Sequence, residues 1–126
     1  MNNSLQKILN KDFPNLFTER NLSKKLYGIR HCECNDGWYD VIREACEDLT
    51  KLNIPQLYLQ TVKEKFGGLR IYTSISSEII WAITERAQEE SFKTCEDCGS
   101  RNEVALSKGG WIRSLCSKCQ EARDKK

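Results

Sequence analysis

Cys95-Glu96-Asp97-Cys98-Gly99, followed by Gly109-Gly110-Trp111-Ile112-Arg113-Ser114-Leu115-Cys116-Ser117-Lys118-Cys119, is the stretch that decides how the end of this chain folds. The two Cys-x-x-Cys pairs are separated by 17 residues, a spacing typical of a four-thiolate zinc site. Zinc takes four ligands at tetrahedral corners, and its borderline softness suits thiolate sulfur. Cys95, Cys98, Cys116 and Cys119 are therefore the expected ligands of one Zn2+ ion. Four protein ligands leave no open position for water, so the ion is expected to be structural.

The residues between and after the ligands extend this reading. Glu103–Ser107 and Trp111–Leu115 read as a short hairpin around Gly109-Gly110, and the chain from Cys116 onward reads as a helix holding two ligands in its first turn. Knuckle, hairpin, helix is the order of a treble-clef zinc finger; a zinc ribbon, which lacks the terminal helix, is the alternative. A module of this size buries too little core to fold alone, so the metal is expected to supply its folding free energy.

Composition bounds the rest. A chain of 126 residues fits one domain, or a small domain with an appended module. No apolar run approaches the ~20 residues needed to cross a bilayer, and Met1–Asn10 lacks the apolar core of a signal peptide. The cytoplasm is the expected location, with no membrane partner. Seven cysteines, an odd number with four of them in Cys-x-x-Cys form, suit reduced thiols holding metal better than a disulfide framework. The formal charge is +2, and it is unevenly placed. Residues 1–90 carry 12 Lys+Arg against 13 Asp+Glu (−1), and residues 91–126 carry 8 against 5 (+3). One Zn2+ on four thiolates contributes −2, so the tail is nearly neutral once metallated. Its basicity is then no signature of nucleic acid.

Upstream of the module the pattern is α+β. Leu5, Ile8 and Leu9 stand at helical spacing, Phe13-Pro14 interrupts, and Leu16, Phe17, Leu22, Leu26 and Ile29 resume an apolar stripe, with Asn21 or Ser23 able to cap a second short helix. Asp36-Gly37 breaks the chain, and Asn35 or Asp36 is expected to cap the next helix. That helix has the clearest period in the sequence: Trp38, Val41, Ile42, Ala45, Cys46, Leu49 and Leu52 face one way. Asn53-Ile54-Pro55 ends it.

Residues 60–66 and 69–74 then read as a β-hairpin turning at Gly67-Gly68. Pairing Phe66 with Leu69 would put Val62, Glu64, Phe66, Leu69 and Ile71 on the core face. Lys63, Lys65, Arg70 and Tyr72 would share the other. Glu64 is out of place among apolar neighbours. Ser76-Ser77 caps a helix over 78–93, with Ile79, Ile80, Ile83 and Ala87 inward. Trp81, Gln88 and Phe92 fall on an adjacent side. No glycine or proline separates Lys93 from Cys95, so this helix should run straight into the first knuckle. The expected organisation is a helical and β-hairpin body over 1–93 with the four-cysteine module, 94–126, docked on it.

Several chemistries compete for these residues. His31-Cys32-Glu33 with Cys95-x-x-Cys98 resembles part of a zinc deaminase signature, but the long separation and the unused Cys116 and Cys119 argue against it. A treble-clef nuclease needs histidines around a catalytic ion, and the single histidine lies outside the module. His31, Cys32 and Cys34 would need a fourth ligand to make a second metal site. Cys46, inside an apolar stripe, reads as a small buried hydrophobe and not a nucleophile. The expectation is therefore no catalytic residue.

Binding remains. Nucleic acid could follow Lys63, Lys65, Arg70, Tyr72 and the tail cations, but no helix offers base-reading side chains in sequence. A protein partner is favoured by the aromatic residues, with Trp111 the leading anchor and Arg113 beside it; the alternative for Trp111 is that it seals the module against the body.

Three segments together carry a resemblance: Asn35-Asp36-Gly37-Trp38, Val62-Lys-Glu-Lys-Phe-Gly-Gly-Leu-Arg-Ile-Tyr72, and Cys95-x-x-Cys-Gly with Gly-Gly-Trp-Ile-Arg-Ser-Leu-Cys116. In that order they resemble a group of small zinc-finger proteins encoded by bacteriophages and bacterial genomes. The resemblance carries no established activity with it. It implies a phage or prophage accessory protein, of the kind that acts stoichiometrically on an enzyme or defence system in the cytoplasm of a bacterial host.

Overall fold

A computed structural model of the chain describes residues 1–18, 28–108 and 110–125. Its elements are α1 (Asn3–Asp12), a 3-10 turn (Asp36–Trp38) leading into α2 (Tyr39–Lys51), β1 (Leu59–Lys65), β2 (Gly68–Thr73), α3 (Glu78–Phe92), β3 (Ala105–Leu106), β4 (Ser114–Leu115) and α4 (Ser117–Asp124). The described residues form an α+β arrangement: four α-helices with two antiparallel two-stranded hairpins, β1–β2 and β3–β4.

The helix periodicity translates directly into packing. Trp38, Val41, Ile42, Ala45, Cys46 and Leu49 are all buried, and they meet Leu9, Leu59, Val62, Leu69, Ile80 and Ala87 in one core. Asn53, at φ 52, and Pro55 stop α2 where the sequence predicts. Ser77 caps α3, its hydroxyl accepting the Ile80 N–H at 3.3 Å. Both edges of β1–β2 are covered. Along β1, the Glu33 N–H donates to the Val62 carbonyl at 2.8 Å and the Glu64 N–H to the Glu33 carbonyl at 3.2 Å. On β2, the Leu69 N–H donates to the hydroxyl of Ser91 on α3 at 2.9 Å. A two-stranded ribbon is marginal alone, and these neighbours complete it.

Four expectations need correction. The β1–β2 turn is Phe66-Gly67, because Lys65 pairs with Gly68 and Glu64 with Leu69. Both turn residues have positive φ, 53 and 84, as a primed turn requires. Phe66 therefore leaves the core face and stands 67% exposed. Ile79 is exposed, because α3 turns Ile80, Ala87 and Ser91 inward. Neither Asn35 nor Asp36 caps a helix: the Asp36 carboxylate accepts from the Asn2 backbone N–H at 2.7 Å, and Asn35 is used by the metal module. The second hairpin is shorter than the sequence suggests, two residues per strand, with a loop over 107–113 that contains Trp111. In α1 only Leu9 of the apolar triad is buried; Leu5 is half-buried and Ile8 exposed. Leu22, Leu26 and the caps expected at Asn21 or Ser23 lie outside the described residues.

The body and the module meet through backbone. The Gly37 N–H donates to the Glu96 carbonyl at 2.7 Å, and a Cβ on Gly37 would lie 2.1 Å from the Cys95 carbonyl oxygen. Only glycine permits that approach. The buried Trp38 indole donates to the Thr94 carbonyl at 2.9 Å, and the Ser114 hydroxyl to the Gly67 carbonyl at 2.6 Å. Among the described residues no helix is long and apolar enough to cross a membrane.

Candidate metal centre and its surroundings

The first Cys-x-x-Cys leaves α3 almost directly: Lys93 closes the helix and Cys95 is buried two residues later. Its knuckle is fixed by three bonds. The Gly99 N–H returns to the Cys95 carbonyl at 2.9 Å, the Cys95 N–H to the Ser100 carbonyl at 2.8 Å, and the Glu96 N–H to the Ser114 carbonyl of β4 at 2.9 Å. The second pair sits where β4 becomes α4. Cys116 is the residue before the first turn of α4, and Cys119 lies within that turn.

These two local structures bring Cys95, Cys98, Cys116 and Cys119 together. Their four sulfurs lie within 4.8 Å of one another, and Cys98 Sγ and Cys116 Sγ are 3.6 Å apart. Four thiolates at ~2.3 Å from a tetrahedral ion stand about 3.8 Å from each other, so a small inward adjustment closes the cage. The cluster can hold a metal ion. Its electrostatics prepare the binding: the backbone N–H of Cys119 donates to the Cys116 sulfur and pulls that thiol down to about 7. Burial and the neighbouring sulfurs push Cys119 up. A divalent ion bound to the four sulfurs would drive off their protons.

No other group of three or more potential ligands gathers among the described residues. His31 is exposed and Glu33 faces solvent, while Cys32 and Cys34 point into the core. That alternation separates the second-site candidates, His31 outside and Cys32 and Cys34 inside. Burial raises the Cys32 thiol to about 12 and the Cys46 thiol to about 12, and it pushes Cys34 up as well. Such thiols are poor nucleophiles.

The surroundings of the cluster are polar and paired. Glu96 is buried, and its carboxylate accepts from the Asn35 N–H at 3.0 Å and from Arg113 Nε at 3.2 Å. Burial pushes the Glu96 carboxyl upward against the pull of these donors. Arg113 also pairs with Asp97, which accepts from Asn35 Nδ2 at 2.7 Å. Arg113 therefore holds together, within the module, the two carboxylates that bind Asn35 of the body. Glu64, the carboxylate that looks misplaced on a core face, accepts from the Gly67 N–H at 2.9 Å and from the Trp111 indole N–H at 2.5 Å. The Trp111 carbonyl accepts from Arg123 Nη2 of α4 at 2.6 Å.

The residues singled out for partner contact divide among three grooves. Lys63, Arg113 and Trp111 line a cleft of about 460 Å³ between β1 and the module, with Glu64 and Glu96. Lys65 and Trp111 line a second, of about 310 Å³, with Phe66 and Ile112. Arg70 and Tyr72 lie apart, in a groove of about 410 Å³ against α3 with Trp81, where Arg70 Nη1 donates to Gln88 Oε1 at 3.2 Å.

Trp111 is 70% exposed although its indole is tied, and it forms the ridge between the first two grooves. Sequence reading missed Phe66, Leu106 and Ile112, all exposed in the same neighbourhood.

No family model, curated protein or solved structure matches the chain.

Proposed function

We propose that this chain is a non-enzymatic, zinc-binding protein that presents an aromatic surface to a macromolecular partner, and that the partner is a protein. Four thiolates at tetrahedral spacing favour zinc over the oxygen-seeking Mg2+ and Ca2+. Cys95, Cys98, Cys116 and Cys119 would hold it, and the ion would supply folding energy, not a reacting water. Knuckle, hairpin and ligand-bearing helix follow in treble-clef order. The closed ligand set and the raised thiols of Cys32 and Cys46 both speak against catalysis.

The observation that carries the binding reading is Trp111. A tryptophan left in solvent but held by its indole N–H is a pre-ordered anchor, of the type that dominates protein interfaces. Exposed Phe66, Leu106 and Ile112 extend the apolar surface beside it. The resemblance to phage-encoded zinc-finger proteins fits a stoichiometric modulator or inhibitor of a host enzyme or defence system.

The test begins with metal analysis, where one zinc per chain, lost in Cys95→Ser, is the expected result. Affinity capture from bacterial lysate follows, with and without nuclease. A salt-tolerant, nuclease-resistant partner that Trp111→Ala releases supports the reading; purified protein without zinc sinks it. Nucleic acid is the second reading, favoured by Lys63 and Lys65 beside exposed aromatics on which bases could stack. It requires binding that collapses as salt rises, because counterion release sets that slope.

A further inference from the structure

Of the seven cysteines, Cys98 alone is exposed. Cys95 is fully buried, Cys116 nearly so and Cys119 half-buried, while Cys32, Cys34 and Cys46 lie in the core of the body. A sulfur that holds a metal still carries lone pairs, so exclusion of solvent is what protects it from an oxidant. One corner of this cage lacks that protection.

A second sulfur stands ready beside it. Cys116 Sγ lies 3.6 Å from Cys98 Sγ. A disulfide spans ~2.05 Å, so an approach of about 1.5 Å would join the two. They come from different segments, the first knuckle and the residue before α4. The Glu96 N–H holds those segments together by donating to the Ser114 carbonyl of β4 at 2.9 Å. An accessible thiol next to a resolving one is the arrangement of a redox sensor.

We infer that Cys98 and Cys116 form a redox switch on the metal site: a hydroperoxide oxidises Cys98, Cys116 closes a disulfide onto it, and the zinc leaves. The inference rests on the zinc-binding reading above and adds its regulation. In the first step a Cys98 Sγ lone pair bonds to one oxygen of hydrogen peroxide and the O–O bond breaks. Hydroxide departs and takes a proton from solvent. In the second step the Cys116 sulfur attacks Cys98 Sγ, the S–O bond of the sulfenic acid breaks, and a second hydroxide leaves and is protonated to water. Each sulfur gives up one electron, and one peroxide becomes two waters. Cys95 and Cys119 are then two ligands where zinc takes four, so the ion passes to solvent. The module loses its folding energy, and the loop that carries Trp111 loses the metal anchor that Cys116 gives β4.

The test is a hydrogen peroxide titration of the full-length, zinc-loaded protein, with free zinc read by a chromogenic chelator and the cysteines mapped by mass spectrometry. One zinc per chain should be released together with a Cys98–Cys116 cross-link, and dithiothreitol with added zinc should reverse both. Cys32, Cys34 and Cys46 should stay as thiols. Cys98→His keeps a ligand atom and removes the reactive sulfur, so it should hold its zinc at a peroxide dose that empties the parent. Cys116→His should stop at a Cys98 sulfenic acid, trapped by dimedone.

Zinc that stays in the parent after peroxide, or that leaves while Cys98 remains a thiol, overturns the inference. So does a cross-link confined to Cys95–Cys98 or Cys116–Cys119. Should the histidine variants bind no zinc, time-resolved mapping of the parent decides: Cys98 is the first thiol modified, or the switch falls. Purified protein that never holds zinc defeats the zinc reading and the switch together, whereas loaded protein that resists peroxide defeats the switch alone.

Discussion

At the scale of single residues, buried Trp38, which ends the 3-10 turn before α2, and buried Cys46 within α2 make the sharpest predictions. Trp38 is fully buried and spends its indole N–H on Thr94, so it belongs at once to the core and to the entry of the metal module. Trp38→Phe leaves that carbonyl without its donor and should cost about 1–3 kcal/mol; Trp38→Ala adds a cavity and should cost about 3–5 kcal/mol, both read from urea denaturation. Cys46 makes a pH prediction. Its thiol ordinarily ionises near 9.0, and burial raises it to about 12 in the folded chain. Below the ordinary value both states carry the neutral thiol, so burial stabilises fully. Between the two values only the unfolded chain ionises, and stability falls with rising pH by at most about 1.4 kcal/mol per unit. Cys46→Ala should flatten that decline in denaturation curves taken on either side of pH 9.0. An unchanged slope would mean that the thiol is accessible in the native state. Phe66 is the residue where sequence reasoning failed. Its hydrophobicity argues for the core, but the turn comes one residue earlier than the sequence suggests, so Glu64 and not Phe66 pairs with Leu69 and Phe66 stands in the turn.

At the scale of elements, the β1–β2 turn and the first knuckle are places where body and module meet. Left-handed Phe66 costs about 1 kcal/mol relative to a residue that accepts positive φ. Phe66→Asn should therefore raise the melting temperature by a few degrees, which differential scanning calorimetry would resolve. Gly37 is the opposite case. Its Cβ would lie 2.1 Å from a carbonyl oxygen of the knuckle, and backbone on both sides leaves nothing flexible to yield. Gly37→Ala should destabilise by several kcal/mol, of the order seen for severe overpacking, and should loosen metal retention in a competition assay against a chelator. Asp36-Gly37 is legible in sequence as a break. That the break exists to admit the Cys95 carbonyl is not, because the contact joins residues far apart in the chain.

At the scale of the molecule, two cores share one joint. The body buries Leu9, Trp38, Ile42, Leu49, Leu59 and Leu69 together, while Cys95, Leu115 and Cys116 form a separate small cluster. Chelation should therefore melt the module and spare most of the body. In circular dichroism the helical signal of α1 and α2 should persist after chelator treatment, and amide exchange over 95–124 should become fast. Loss of all structure at one chelator concentration would instead mean that the metal holds the whole chain. What depends on near neighbours is legible along the chain. The thiol spacing sets the cluster, the 3.6-residue period sets α2, and Ser77 and Asn53-Ile54-Pro55 set helix ends. Only the tertiary structure decided what depends on register and distance: that Phe66 turns outward, that Glu64 reaches Trp111 across 47 positions, and that Arg113 is occupied by Glu96 and Asp97. The physical reason is that local pattern fixes which face a residue occupies, whereas the partner waiting on that face is chosen by packing between segments remote in sequence.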